Sequence, residues 1–325
     1  MRKCAFIIPY YGTFPSYFQL FLNSCGKNDD YDWLIFTDNK TEYAYPENVH
    51  VYYETFDQMI DRVASHFDFD VRLATPYKLC DLKPMYGYLF SDYLQNYHSW
   101  GYCDCDLIFG KISNFITDDM LESFDKIFML GHCSIIKNTR ENNERFMSEY
   151  HGEKIYKNVL TSGQIFTFDE SYLPNNVNDI FKETGAAIFQ DDWSANTRAR
   201  SLSFQITRYA HDLDTYLTEA TRDALYVWND GRLVRYSVRL GHFEQNELLY
   251  MHFQRRKMDV RLPVDEKIIK ILPGSFERLE VDGVDSASFN RIKKKHLPDM
   301  IKHLYQIKKS DAVFWLKKLK NHFMA

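Results

Sequence analysis

Apolar and polar positions in the first 150 residues follow two periods in turn. "KCAFIIPYY" is a short apolar run of strand length that ends at Pro9. "PSYFQLFLNSCG" repeats at helical spacing through Tyr17, Leu20, Phe21 and Ser24 and stops at Gly26. "YDWLIFTDN" and "VHVYYE" predict two more strands, and "FDQMIDRVASHF" a second helix. A long helical pattern runs from Pro76 to about Tyr97, begun or broken near Pro84. "YCDCDLIFG" and "DKIFMLGHCSIIKN" then read as one strand each. This rhythm predicts an α/β fold: a mostly parallel, Rossmann-like sheet flanked by helices. After Tyr150 the pattern loosens, although "ALYVWNDGRLVRYS" predicts a β-hairpin turning at Asp230-Gly231, and "ELLYMHFQRRKM" an apolar strand with a basic end. With no internal repeat and no low-complexity linker, the expected organisation is one domain over 1–260 and a basic helical C-terminal extension over 261–325.

Composition narrows the class. Of 325 residues, 45% are hydrophobic and 26% charged, which suits a globular protein with a large core. Aromatics reach 16%, enough to supply stacking surfaces for rings or sugars as well as a core. The opening apolar run is too short for a leader peptide, and no 18-residue apolar segment follows. The six cysteines show no framework spacing. Cys103 and Cys105 would point the same way from a strand, but without a second pair or a nearby His they do not make a thiolate metal site. A reducing, cytoplasmic setting is the expectation.

Charge is uneven. The chain carries −5, yet from Arg291 onward ten Lys/Arg face only Asp299 and Asp311, a local +8 that leaves −13 on the rest. An acidic body argues against nucleic acid as a partner, whereas a basic tail suits an anionic surface. "DAVFWLKKLKNHF" can place Ala312, Leu316, Leu319 and Phe323 along one helical side among lysines, as in an interfacial helix. Peripheral contact with the inner face of the cell membrane is therefore expected.

In open α/β sheets, ligands bind beyond the carboxyl ends of the strands. There the sequence offers Pro9, Tyr10 and Tyr11, and then Asp38, a carboxylate suited to a ribose or a base. The segment Asp104-Cys105-Asp106 sets two carboxylates on one side of extended chain, where a divalent ion would neutralise them and hold a diphosphate. Upstream, "PYKLCDLKPMYGYLF" supplies Lys78, Asp81 and Lys83, two cations for phosphate and an acid for a hydroxyl.

These stretches carry a resemblance. A K-x-x-D-x-K segment running into "WGYCDCD" resembles nucleotide-sugar-dependent glycosyltransferases of the GT-A type, whose D-x-D holds the metal of a nucleoside diphosphate. The ordered series "IIPYYGTFPSYFQLFLNSC", "WLIFTD", "PYKLCDLKPMYGYLF", "WGYCDCDLIFG", "GHCSIIKNT", "FDE" and "YMHFQRRKM" is similar to a bacterial family found in capsule, exopolysaccharide and O-antigen loci. It spans roughly residues 1 to 260. Cys105 departs from the apolar residue expected between the aspartates. The last segment resembles the C-terminal H-F-…-K of glycogenin-like transferases. That likeness implies His252 as a third ligand of Mn²⁺ or Mg²⁺ beside Asp104 and Asp106, and Arg255, Arg256 and Lys257 as cations for the diphosphate.

The same resemblance implies transfer of a hexose, galactose expected, from a UDP-sugar to a glycan or lipid-linked oligosaccharide acceptor. For the reacting end it favours Asp169 and Glu170 of "GQIFTFDES", while spacing also allows Asp191 of "AIFQDDWSANTR". His132, after Gly131, is the candidate for lining the sugar pocket. A nucleotidyltransferase acting on sugar phosphates, a metal-dependent phosphoesterase, or an inactive sugar-binding protein on the same fold are the competing classes. The absence of a Gly-rich phosphate loop weighs against the first.

Overall fold

A computed structural model describes residues 2–198, 202–204, 206–219, 224–254, 256–293, 301, 304–305 and 308–309. The chain divides into two compact units, Met1–Trp193 and Ser194–Ala325.

The first unit is built on strands β1 (Arg2–Pro9), β2 (Tyr31–Thr37), β3 (Val49–Tyr53) and β4 (Tyr97–Cys103), all parallel in the order β3-β2-β1-β4. Beyond β4, after the short strand β5 (Leu107–Phe109), the chain forms β6 (Lys126–Ile127), β7 (Cys133–Lys137) and β8 (Ile188–Phe189). Of these, β7 runs antiparallel to both β4 and β6, and β8 parallel to β6. The sheet is thus mixed, with a parallel majority. β2 is buried at every position, as expected of a central strand whose apolar run does not alternate.

Helices α1 (Phe18–Cys25) and α2 (Phe56–Ala64) lie where the periodicity put them. Thr55 starts α2 with a capping box: its hydroxyl takes the Gln58 amide while the Gln58 side chain takes the Thr55 amide. The long helix expected from Pro76 to Tyr97 is not one helix. Pro76–Met85 is a 3₁₀ stretch with Pro84 inside it, followed by a single turn, α3 (Tyr86–Leu89), and a 3₁₀ turn at Ser91–Tyr93. Proline lacks the amide that an α-helical bond needs. Gly87 brings α3 so close to the indole of Trp100 that a Cβ there would overlap the ring. The remaining helices of this unit are α4 (Asp118–Ser123), α5 (Arg140–Glu144), α6 (Ile155–Thr161) and α7 (Val177–Glu183).

The single strand expected over "DKIFMLGHCSIIKN" is also corrected, since β6 and β7 flank a loop at Phe128–His132. The main core of the unit joins Ile7, Leu34, Phe36, Met85, Trp100, Tyr102, Ile136, Phe168 and Phe181.

The second unit is rich in antiparallel strands. β9 (Ala195–Thr197), β10 (Ile206–Ala210) and β11 (Thr215–Glu219) pair in succession, and β15 (Tyr250–His252) runs parallel to β9. A six-stranded sheet comprises β12 (Ala224–Asn229), β13 (Arg232–Arg239), β14 (His242–Leu248), β16 (Asp259–Arg261), β17 (Ile268–Leu272) and β18 (Ser275–Arg278), in the order β14-β13-β12-β17-β18-β16. The hairpin read at Asp230-Gly231 joins β12 to β13, with φ of 45° and 100° at the two turn residues, the left-handed pair a tight two-residue turn requires. Helix α8 (Ser286–Ile292) packs Phe289 and Ile292 on Leu225, Val227 and Leu272. The basic tail from Ser310 onward, which carries the expected interfacial helix, lies outside the described residues, as does Arg255.

Candidate active site

The carboxyl ends of β1 and β2 are tied together by polar bonds. Gly12 donates its amide to Asp38 Oδ1 at 2.8 Å, and Asn39 Nδ2 returns a bond to Gly12 O at 2.8 Å. Gly12 has φ of 107°, a conformation L side chains rarely adopt, so the tight turn needs glycine. Pro9 and Tyr10 stay partly exposed at this edge, with Tyr10 stacked on Phe14 at 4.7 Å. Tyr11 is turned inward, its hydroxyl donating to Glu54 Oε1 at 2.6 Å. Asp38 therefore shapes the loop as well as lining the edge.

Asp104, Cys105 and Asp106 interrupt the chain between β4 and β5. Cys105 is buried, Asp106 is 8% exposed, and the Asp104 side chain is one-third exposed. The apolar continuation is held from below: Phe109 N donates to Ser24 Oγ, and Asn28 takes Ile112 N while giving Nδ2 to Gly110 O. That anchor fixes where the carboxylates stand without using them.

Lys83 is the hub. Its ammonium lies 2.6 Å from Asp104 Oδ1, 3.3 Å from Asp169 Oδ2 and 2.8 Å from Gly131 O. Burial works against that charge, but Asp104 and Asp169 outweigh it and hold Lys83 well above its ordinary pKa. For Asp169 the balance is reversed. Burial dominates over the Lys83 ammonium, with Glu170 and Asp104 adding repulsion, and lifts the carboxyl to about 7. Glu170 reaches the other side of the same glycine, accepting Gly131 N at 3.1 Å. His132 is 3% exposed, and its carbonyl takes Asp104 N at 3.0 Å. Asp104, Asp169, Glu170, Gly131 and Lys83 are thus brought together in one unit, while Asp191 lies partly exposed after β8.

Lys78 and Asp81 are placed differently from the expectation. Both are fully buried. Lys78 Nζ bonds Asp81 Oδ2 at 2.8 Å and also Gln164 O, while Asp81 takes the amides of Phe166 and Phe168 at 2.9 and 3.0 Å. The pair pins the 164–168 loop that delivers Asp169. Cys80, Asp81 and Asp169 also cluster closely enough to suggest a metal. However, burial pushes the Cys80 thiol up to about 12, and both carboxylates already face lysine ammoniums. The better-suited donors are Asp104 with Asp106. Asp104 also meets the Lys83 ammonium, but its side chain is one-third exposed, and both offer hard carboxylate oxygens that suit Mg²⁺ or Mn²⁺ without a protonated thiol in the set.

In the second unit, His252 closes β15 and is buried. Its Nδ1 lies 3.0 Å from Asn196 Oδ1, an oxygen that also accepts from Gln254 Nε2. Nδ1 therefore carries a hydrogen, so in the neutral ring Nε2 is the nitrogen with the lone pair, as in a ligating imidazole. Arg256 is 3% exposed. It bonds Pro273 O at 3.0 Å and Arg198 O, with Phe204 stacked at 5.4 Å, which makes it an internal clamp. Lys257 is exposed.

Residues 6–280 match a family of unknown function, DUF6625. The chain belongs to that family. Among curated proteins this DUF6625 member has no match. Among solved structures it is similar to the galactosyltransferase LgtC in complex with donor and acceptor sugar analogs, at 10% identity, 59% of this chain, 75% of the other and a TM-score of 0.34. An active-site mutant of LgtC gives 8% identity, 59% and 74% coverage and a TM-score of 0.33. Overlaps this loose assign no residue roles to the DUF6625 chain.

Sequence reasoning missed the part played by Gly131 and the whole of Lys126. A Cβ on Gly131 would overlap the carboxyl of Asp169 and come within 2.9 Å of Glu170 Oε1. Lys126 lies fully buried beneath the same loop. The one signal for it was a lysine opening an apolar run.

Proposed function

We propose that this protein is a GT-A-type glycosyltransferase that depends on Mn²⁺ or Mg²⁺. It would transfer a hexose, galactose expected, from a UDP-sugar to a glycan or lipid-linked acceptor in bacterial surface-polysaccharide synthesis. The observation that carries this reading is the Lys83 bridge. One part-buried ammonium spans a carboxylate of the D-x-D and a second carboxylate whose proton affinity has been raised to near neutrality, beside a parallel-strand edge lined by Pro9, Tyr10 and Asp38. The ordered sequence motifs support the same class.

Asp104 and Asp106 would hold the metal, with His252 proposed as third ligand on the sequence resemblance and its tautomer. When bound, the ion would supply charge for the diphosphate. The chain's own groups do the rest. Lys83 holds Asp104 and Asp169 at a fixed spacing and offsets the charge between them. Asp169, with a pKa near 7, suits general-base removal of the acceptor hydroxyl proton, because a base is most effective when its pKa lies near the working pH. Glu170, held by the Gly131 amide, would orient the acceptor, and Asp191 remains the alternative base. Lys257 and Arg255 are proposed as outer cations for phosphate, and the basic tail as an anchor on anionic membrane.

UDP release measured with a panel of sugar nucleotides and Mn²⁺ tests the proposal. Release with at least one UDP-hexose is expected, and none with any of them overturns it. Truncation at Ser310 should lower binding to anionic vesicles, more at low salt, with UDP affinity unchanged. Equal vesicle binding by the truncated chain removes the membrane role.

A further inference from the structure

Loops that run through a protein interior leave backbone carbonyls without water, so each must find a donor. The Phe128–His132 loop meets that demand at every position. Phe128 O accepts from Lys126 Nζ and, at 3.1 Å, from Ser134 Oγ. Met129 O accepts from Ser171 Oγ at 2.9 Å and Asn178 Nδ2 at 3.0 Å. Leu130 O takes Cys133 N, Gly131 O takes Lys83 Nζ, and His132 O takes Asp104 N. The loop is a shelf whose far end is Gly131, with Lys83 on its carbonyl and Glu170 on its amide. Phe128 starts it at φ of 70°, a backbone conformation costly for a bulky side chain and held only by its surroundings.

We infer that Lys126 is the positioning residue of this shelf, anchoring Phe128 so that Gly131 presents Lys83 and Glu170 in working register. The side chain is fully buried and makes two bonds, to Phe128 O and to Ser134 Oγ at 3.0 Å. Two acceptors match the two N–H donors of a neutral amine, and no carboxylate lies within ion-pair distance of this lysine among the described residues. The charged and titratable groups around it are Asp169 and Glu170 from the 164–171 segment and Cys133 from β7. Burial lowers Lys126 to about 7 against the pull of those groups, consistent with that bonding. Lys126 touches no reacting atom and acts through the glycine. Its catalytic consequence rests on the transferase reading, while its structural consequence does not.

The test separates the two. In full-length Lys126→Met, amide hydrogen exchange at Gly131 should speed up at least ~10-fold while amides of β1 and β2 keep their protection. Ser134→Ala, which leaves the amine in place but removes the second donor to Phe128, should shift Gly131 in the same direction and serves if the first variant does not fold. With a UDP-sugar that the wild type turns over, Lys126→Met should lower kcat about tenfold with donor KM within about twofold. Unchanged Gly131 exchange in both variants overturns the inference. Faster exchange with unchanged kcat overturns its catalytic part. If the wild type turns over no sugar nucleotide, the transferase reading fails and the exchange result alone decides the shelf.

Discussion

Gly131 lies so close to Asp169 that any side chain at the glycine would overlap the carboxylate. The chain has spent a conformationally free residue to bring bare backbone against two acids and a lysine. Substitution at this point therefore acts on the site before it acts on the core.

Gly131→Ala should force Asp169 away from Lys83. The expected result is a loss of stability of about 1–3 kcal/mol, as for other overpacked interiors, with at least a ~10-fold fall in turnover. Chemical denaturation and UDP-release kinetics measure the two. A variant that keeps wild-type turnover would show that the Asp169–Lys83 contact is dispensable.

Asp169 also predicts a pH dependence. Its folded pKa of about 7 lies above the ordinary 3.8, so between those values the folded chain keeps a proton the unfolded chain has lost. Its stabilising contribution is complete below about pH 4 and disappears as pH rises through 7, with a slope of up to about 1.4 kcal/mol per pH unit. Asp169→Asn should flatten that fall in unfolding free energy between pH 5 and pH 7 (approximate bounds). It should also cut turnover while leaving UDP affinity nearly intact. Equal loss of UDP affinity would move Asp169 into the nucleotide site.

Lys126 has the opposite sign. Its folded pKa of about 7 lies below the ordinary 10.5, so above pH 7 the unfolded chain binds the extra proton and stability rises with pH. Denaturation between about pH 7 and pH 9 should show this rise in the wild type and lose it in Lys126→Met. A slope unchanged by the substitution would mean that Lys126 titrates normally.

The strands and helices of the first 65 residues were legible because burial on both faces, or on one helical face, leaves a plain periodic record. β2 and α2 are examples. The Pro76–Met85 stretch was misread as part of a helix because apolar spacing alone does not separate 3₁₀ from α, and Pro84 was the only local sign of the difference. Phe128–His132 was misread as strand because the carbonyls of Met129 and Gly131 are satisfied by side chains 42 to 49 residues away in sequence, and that of Phe128 by near neighbours such as Ser134. Apolar "FML" records burial, not pairing. Likewise Lys78 and Asp81 looked like ligand contacts because the sequence shows their charge but not the Gln164–Phe168 backbone that absorbs it. Residue type and motif order single out Asp104 and Asp169 as candidates, but they do not show that Lys83 contacts both.

The central claim is that Asp104 and Asp106 hold a divalent ion that binds the diphosphate of a sugar nucleotide. Calorimetric titration of UDP into wild type and Asp106→Ala, with and without Mn²⁺, tests it most directly. The account predicts UDP binding that Mn²⁺ strengthens in the wild type and an Mn²⁺ effect lost in Asp106→Ala, because one hard anionic ligand has been removed from the shell. Mn²⁺-dependent UDP binding that survives intact in Asp106→Ala would contradict it.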